Sequence, residues 1–203
     1  MAEVVVERRT KDLPTIVLLV IAPTRALFET EFVKKRIAIN LWSWFWLVAN
    51  LIFLFTFSLL KRPLGLSISL YVLLWAFPFS RIVEIGYAFY NDSFDQMEGH
   101  TPRSGLSRAQ RFKLLGRSYI EIAVCYATVY LALPENSFMH APATGFQSLY
   151  FSWVTITTTG FGDITPEGVL ARSLCMTEIG FGLMLIVFAV GTYFSYKEKA
   201  MQE

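Results

Sequence analysis

Residues 155–166 read TITTTGFGDITP, a polar and bendable stretch in a chain that is 54% hydrophobic. Ahead of it, residues 145–158, GFQSLYFSWVTITT, predict a short apolar helix that ends where the glycines begin. A helix that crosses a bilayer needs about 20 apolar residues, so this one enters and returns. Non-helical backbone at membrane depth is tolerated only where it is buried in protein or lines a watery cavity, because each unpaired peptide group in hydrocarbon costs several kcal/mol. Residues 159–162 therefore need ligands. Gly160 and Gly162 accept positive φ, and a strand alternating them with Thr159 and Phe161 turns successive carbonyls to one side. Rings of such carbonyls replace the water shell of a cation. The sequence carries a single copy of the stretch, so a closed ring takes several identical chains, and four is the number that fits. Each short helix would aim its carboxyl end, with roughly half a negative charge, toward the membrane centre.

The rest of the chain supplies the membrane part. Apolar stretches long enough to span lie at 37–60, 64–83, 114–133 and 169–196, the last three with polar interruptions. The run PTIVLLVIAP at 14–23 is too short and is bracketed by prolines, so it is expected to be interfacial or packed on the bundle; no small-residue cleavage site follows it. Lysines and arginines mark the cytoplasmic side. Arg8, Arg9, Lys11, Arg25, Lys34, Lys35 and Arg36, then Arg103, Arg108, Arg111, Lys113 and Arg117, then Lys197 and Lys199 all fall there when the amino terminus is inside; Lys61, Arg62 and Arg172 fall outside. Both termini are then cytoplasmic, and residues 134–168 face outward. The tract at 105–115, GLSRAQRFKLL, reads equally as an interfacial helix or a solvated connector. The expected fold is an all-α membrane protein of four transmembrane helices with a re-entrant helix between the third and fourth. Its segments are 1–36, cytoplasmic or interfacial; 37–90, two peripheral helices; 91–113, a cytoplasmic loop; 114–196, the pore; and 197–203, a short tail.

Other classes of function find little support. A net charge of +2 without a basic tail argues against a nucleic-acid partner. Cys125 and Cys175 sit in different apolar runs without metal-ligand spacing and read as buried free thiols. No convergent nucleophile, base and acid points to an enzyme, and no cofactor is expected. His100 and His140 read as ordinary loop residues.

The run TITTTGFGD resembles the potassium-channel signature, Thr-x-Thr-Thr-x-Gly-Tyr/Phe-Gly-Asp, and stands in the family's frame of outer helix, pore helix, filter and inner helix over residues 114–196. LYFSWVTITTTGFGDITP is similar to the pore of small bacterial two-helix-type channels. The resemblance implies a homotetramer in the plasma or inner membrane that conducts K+. It makes Thr158 the innermost ligand, through carbonyl and hydroxyl, with the carbonyls of Thr159, Gly160, Phe161 and Gly162 above it. Asp163 would brace the strand, Tyr150 and Phe151 fall on the aromatic cuff, and Gly182 falls on the inner-helix glycine proposed as a gating hinge. Thr159 replaces the usual valine or isoleucine and adds a hydroxyl behind the filter. Phe161 replaces the commoner tyrosine. Val154 stands where some bacterial channels place a glutamate that pairs with the filter aspartate.

Charges inside the spans carry further expectations. Glu178 lies in the fourth span, where a buried carboxylate costs about 2.5 to 3.5 kcal/mol; it is expected to brace the pore helix, at Thr155 or Thr157, the alternative being a protonated glutamate that only packs. Arg117 with Glu121 and Arg81 with Glu84 have the spacing of local ion pairs near headgroups. No span repeats arginine every third residue, so steep voltage gating is not expected. Trp42, Trp44 and Trp46 place the first helix at an interface. Alternatives to a K+-selective channel are a weakly selective cation channel and a non-conducting regulatory subunit that keeps the pore fold.

Overall fold

The computed structural model of the chain describes residues 36–60, 68–97 and 106–200. The run at 14–23, Lys61, Arg62 and His100 lie outside them. Among the described residues the α-helices are α1 (Arg36–Leu60), α2 (Ile68–Met97), α3 (Arg108–Ala132), α4 (Gly145–Ile156) and α5 (Val169–Ala200), with a 3-10 turn at Glu135–Ser137. The all-α expectation holds.

Local chemistry explains the helix ends. Ser107 caps α3: its hydroxyl accepts the Gln110 N–H at 3.3 Å, and Gln110 Oε1 accepts the Ser107 N–H at 2.9 Å, which neutralises two donors of an uncapped first turn. The polar tract ahead of the third span thus becomes, from Arg108 onward, the first turns of α3. At the other end Leu133 is extended (ψ 151°), as the residue before Pro134 is driven to be. α2 runs on well past the expected end of its span at 83, with Pro78 inside it, where proline cannot donate to the carbonyl of Leu74.

α3 is the centre of the molecule. It touches α1 and α2 as well as α4 and α5, and every residue from Glu121 to Leu133 is buried. One apolar cluster joins α2, α3, α4 and α5 around Ile82, Ile122, Tyr126, Tyr130, Phe151 and Leu185. A second joins α1 to α3 through Leu47, Leu54, Phe57, Val124, Ala127 and Leu131, with Leu149 of α4 against it. Two ladders of small residues let α4 lie close on α3: Ser148 Oγ donates to the Ala127 carbonyl at 2.5 Å, and Ser152 Oγ lies 2.7 Å from the Ala123 carbonyl. Ser148 and Ser152, like Ala123 and Ala127, are one helical turn apart and share a face.

Among the described residues, Ile39–Leu59 and Val169–Gly191 are long and apolar enough to cross a membrane. The second and third expected spans, in α2 and α3, are diluted by polar residues. Of the two local pairs the spacing suggested, Arg81 with Glu84 forms and Arg117 with Glu121 does not. Arg81 does bond Glu84, at 2.6 Å, but it also reaches across to α3, where its Nε and Nη2 lie 2.9 and 2.8 Å from Glu121 Oε1. Asn50 of α1 completes the group: its amide donates to the Trp46 carbonyl at 2.8 Å and lies 3.4 Å from Glu121 Oε1. The Arg81 guanidinium also sits 4.9 Å from the centre of the Trp46 ring, a cation–π contact. Arg117 turns toward α1, with Nη1 3.4 Å from the Asn40 carbonyl and its guanidinium 5.0 Å from the Trp44 ring centre. Arg81 and Glu121 are both buried, so this is an interhelical ion pair inside the bundle.

Candidate functional site

The signature begins at the carboxyl end of α4, where the helix stops making its own hydrogen bonds. The Val154 carbonyl accepts the N–H of Thr159 at 2.8 Å and of Gly160 at 3.2 Å, and Thr158 N–H bonds the Thr155 carbonyl at 2.9 Å. Beyond that turn the backbone alternates in hand. Thr158, Gly160 and Gly162 have φ of 57°, 54° and 81°. Glycine adopts such values freely; a β-branched threonine does so at a cost of about 1–3 kcal/mol. Backbone strain of that size persists where surrounding structure imposes it, and it concentrates at functional sites. The carbonyls of residues 158–161 accept no hydrogen bond from the described residues, and residues 157–163 are exposed in the single chain.

The side chains of this segment are tied back to α4. Thr157 Oγ1 donates to the Trp153 carbonyl at 2.7 Å and lies 3.0 Å from Thr159 Oγ1. A hydroxyl has one proton, so Thr159 donates to Thr157, and the hydroxyl that replaces a methyl of valine is used inside the segment. Phe161 stacks on Tyr150, with ring planes 3° apart and centres 6.4 Å apart. Desolvation and the nearby Asp163 carboxylate together raise the Tyr150 phenol above its usual range. Asp163, Tyr150 and Phe161 are thus brought together. Phe151 is not with them. One position further round α4, it is buried against Tyr130 (4.9 Å, 70°) and Phe138 (5.5 Å, 86°) in edge-to-face contacts.

Glu178 of α5 is fully buried and does meet α4, but at Ser152, not at Thr155 or Thr157. Its Oε1 hydrogen-bonds Ser152 Oγ, and its Oε2 accepts the Tyr130 hydroxyl at 2.7 Å. One carboxyl group thereby joins α5, α4 and α3. Gly182, one turn further on, lies where a Cβ would come within 2.7 Å of Ile156 Cγ1 and 3.2 Å of the Ile156 carbonyl oxygen. Glycine there lets α5 close on the end of α4. The same Ile156 carbonyl accepts the Tyr119 hydroxyl at 3.0 Å, which supplies a donor to a helix end that has none of its own.

Sequence reasoning did not find Ser152, Tyr130 or Tyr119. The serine had a signal, since Ser148 and Ser152 recur on the α4 face opposite Ala123 and Ala127; the tyrosines had none, because their partners are 48 and 37 residues away.

Residues 118–199, from within α3 to the last turn of α5, match the family described as "Ion channel". A 47-residue stretch is 45% identical to "Probable potassium channel protein 2" of Methanocaldococcus jannaschii, covering 22% of this chain and 14% of that protein. The aligned region thus spans a small part of the relative's length. No solved structure matches the chain. Ion channels are transport proteins of membranes, and the two long apolar stretches agree with that location. With the signature, the family match and the relative together, residues 118–199 are similar to the potassium-channel pore family.

Proposed function

We propose that this chain is a passive K+-selective channel, with four copies around one axis and carbonyls of Thr158, Thr159, Gly160, Phe161 and Gly162 taking the place of the ion's hydration shell. The observation that carries this reading is the backbone of residues 158–162: positive φ at every second residue, and carbonyls at 158–161 that accept no hydrogen bond from the described residues. Such oxygens suit K+, which is the cargo; the reading needs no cofactor and no chemical step. The Thr158 hydroxyl would be the innermost ligand. Tyr150 and Asp163 hold the outer end of the filter. Glu178 and Ser152 hold its supporting helix against α3 and α5. Gly182 serves as the gating hinge, since bending there would lift α5 from Ile156.

In this reading α1, α2, α3 and α5 all cross the plasma or inner membrane, α4 re-enters it, and both termini are cytoplasmic. The charged group of α2 and α3 is compatible with a crossing because it is paired within the bundle, as intramembrane ions generally are.

The test is K+ efflux from liposomes holding the purified chain, with Ba2+ as blocker, beside a sizing run. Ba2+-sensitive efflux from a tetramer is expected. Equal Na+ and K+ permeability in reversal-potential measurements would replace the reading with a weakly selective channel, and absence of flux with a regulatory subunit.

A further inference from the structure

α4 is fastened at both ends, and the two fastenings come from different parts of the chain. At its carboxyl end the partners are Tyr119 and Gly182, both within the residues that match the ion-channel family. At its amino end the chain caps itself only in part. Thr144 Oγ1 accepts the Gln147 N–H at 3.2 Å, Gln147 Oε1 accepts the Ala143 N–H at 2.8 Å, and the Thr144 carbonyl takes the Ser148 N–H at 3.0 Å. The first N–H of the helix, that of Gly145, goes to Ser58 Oγ of α1 at 2.7 Å. The first turn of any helix has N–H groups without intrahelical acceptors, and in apolar surroundings an unmet one is costly. An oxygen there also meets the positive end of the helix dipole.

The approach of α1 to this turn is close. A Cβ on Gly145 would lie 3.2 Å from Ser58 Cβ, 3.4 Å from Ser58 Oγ and 3.5 Å from Phe55 Cδ1. One turn along, Leu149 packs against the cluster that holds Leu54 and Phe57. α1 also exposes Leu41, Phe45, Val48 and Ile52. α1 thus packs on the amino end of α4 and turns an apolar face outward.

We infer that Ser58 is a positioning residue for the signature segment: it sets where α4 begins, and so where the strand at its other end lies. The conduction part of this inference rests on the channel reading above. α1 is then a working part of the pore although it lies outside the matched region, and a force that shifts it in the bilayer reaches α4 directly.

The test uses the full chain in liposomes, as wild type, Ser58→Ala, Ser58→Thr, Gly145→Ala and, as a comparator on the exposed side of α1, Thr56→Ala. The first readout is hydrogen exchange over residues 145–160. Exchange about fivefold faster is expected in Ser58→Ala, the loss of one hydrogen bond, and in Gly145→Ala, with Ser58→Thr and Thr56→Ala like the wild type. The second is the K+ to Na+ permeability ratio, expected to fall by about twofold or more in Ser58→Ala while the oligomer is retained. Unchanged exchange in Ser58→Ala would overturn the positioning role, and so would equal slowing or quickening in Thr56→Ala. Faster exchange in Ser58→Ala from a wild type that passes no K+ would uphold the contact and sink the channel reading alone.

Discussion

Glu121 and Glu178 are both buried carboxyl groups in the same bundle, and their surroundings differ in kind. Glu121 faces a guanidinium, Arg81, with Glu84 and Asn50 around it. Glu178 meets hydroxyls, Ser152 and Tyr130, and among the described residues no basic side chain is bonded to it. The donor count at Glu178 closes when it is a neutral acid. Ser152 has one proton and lies within reach of both the Ala123 carbonyl and Glu178 Oε1; an acid that donates to Ser152 leaves the serine proton for Ala123, while Tyr130 donates to Oε2. The pair around Glu121 thus joins the peripheral helices to α3 by charge, whereas the group behind the signature segment is joined by neutral hydrogen bonds. In the proposed channel, a brace without net charge would leave the field of the carbonyls unperturbed.

The largest effect is expected where charge is left alone. Arg81→Met strands Glu121 and should destabilise the protein by about 3–5 kcal/mol, whereas Arg81→Met with Glu121→Leu should recover most of the loss; thermal unfolding in detergent reads both. If the single and double variants melt together, the ion pair is not what joins α2 to α3. Next comes Glu178→Leu, which leaves Tyr130 and Ser152 without their partner at about 1–3 kcal/mol and should cut K+ flux. Glu178→Gln, which can donate to Ser152 and accept from Tyr130, should stay close to the parent; flux from both variants at the parent level would end the brace idea. Thr159→Val removes one hydrogen bond within the segment and should lower stability by about 0.5–1.5 kcal/mol, with the K+ to Na+ ratio kept. The smallest effect belongs to Tyr150. Its phenol is raised above the ordinary value of 10.0 by desolvation and by Asp163, so its contribution is whole below pH 10 and fades as pH climbs through the folded-state value. An alkaline titration of flux should show a step that Tyr150→Phe lacks.

The same contrast explains what could be read from the chain alone. The signature was legible because its parts are contiguous: alternating glycines and threonines dictate a local backbone, and the observed φ values at Gly160 and Gly162 follow from residue type. α1 and α5 were legible from apolar length, and α4 from its short run ahead of the glycines. The second apolar run ends at 83 because polar residues follow it, whereas α2 continues to Met97, since a helix can outlast its apolar stretch. Glu178 meets the short helix at Ser152, and which hydroxyl it meets depends on the rotation of α4 against α5, which no local spacing encodes. The same is true of Phe151, whose neighbour Tyr150 faces the signature ring while it faces Tyr130.

The antiparallel bridge between Phe138 and Pro166 has a consequence for engineering. Met139 N–H bonds the Thr165 carbonyl at 2.9 Å, and Glu167 N–H bonds the Ser137 carbonyl at 2.9 Å, so the chain that leaves at 138 returns to the same spot at 166. Everything between, α4 and the whole TITTTGFGD segment, is a cassette clipped shut at its base. Such a unit should survive transplantation into a foreign scaffold if the host supplies the serine, tyrosine and carboxyl that grip it from outside.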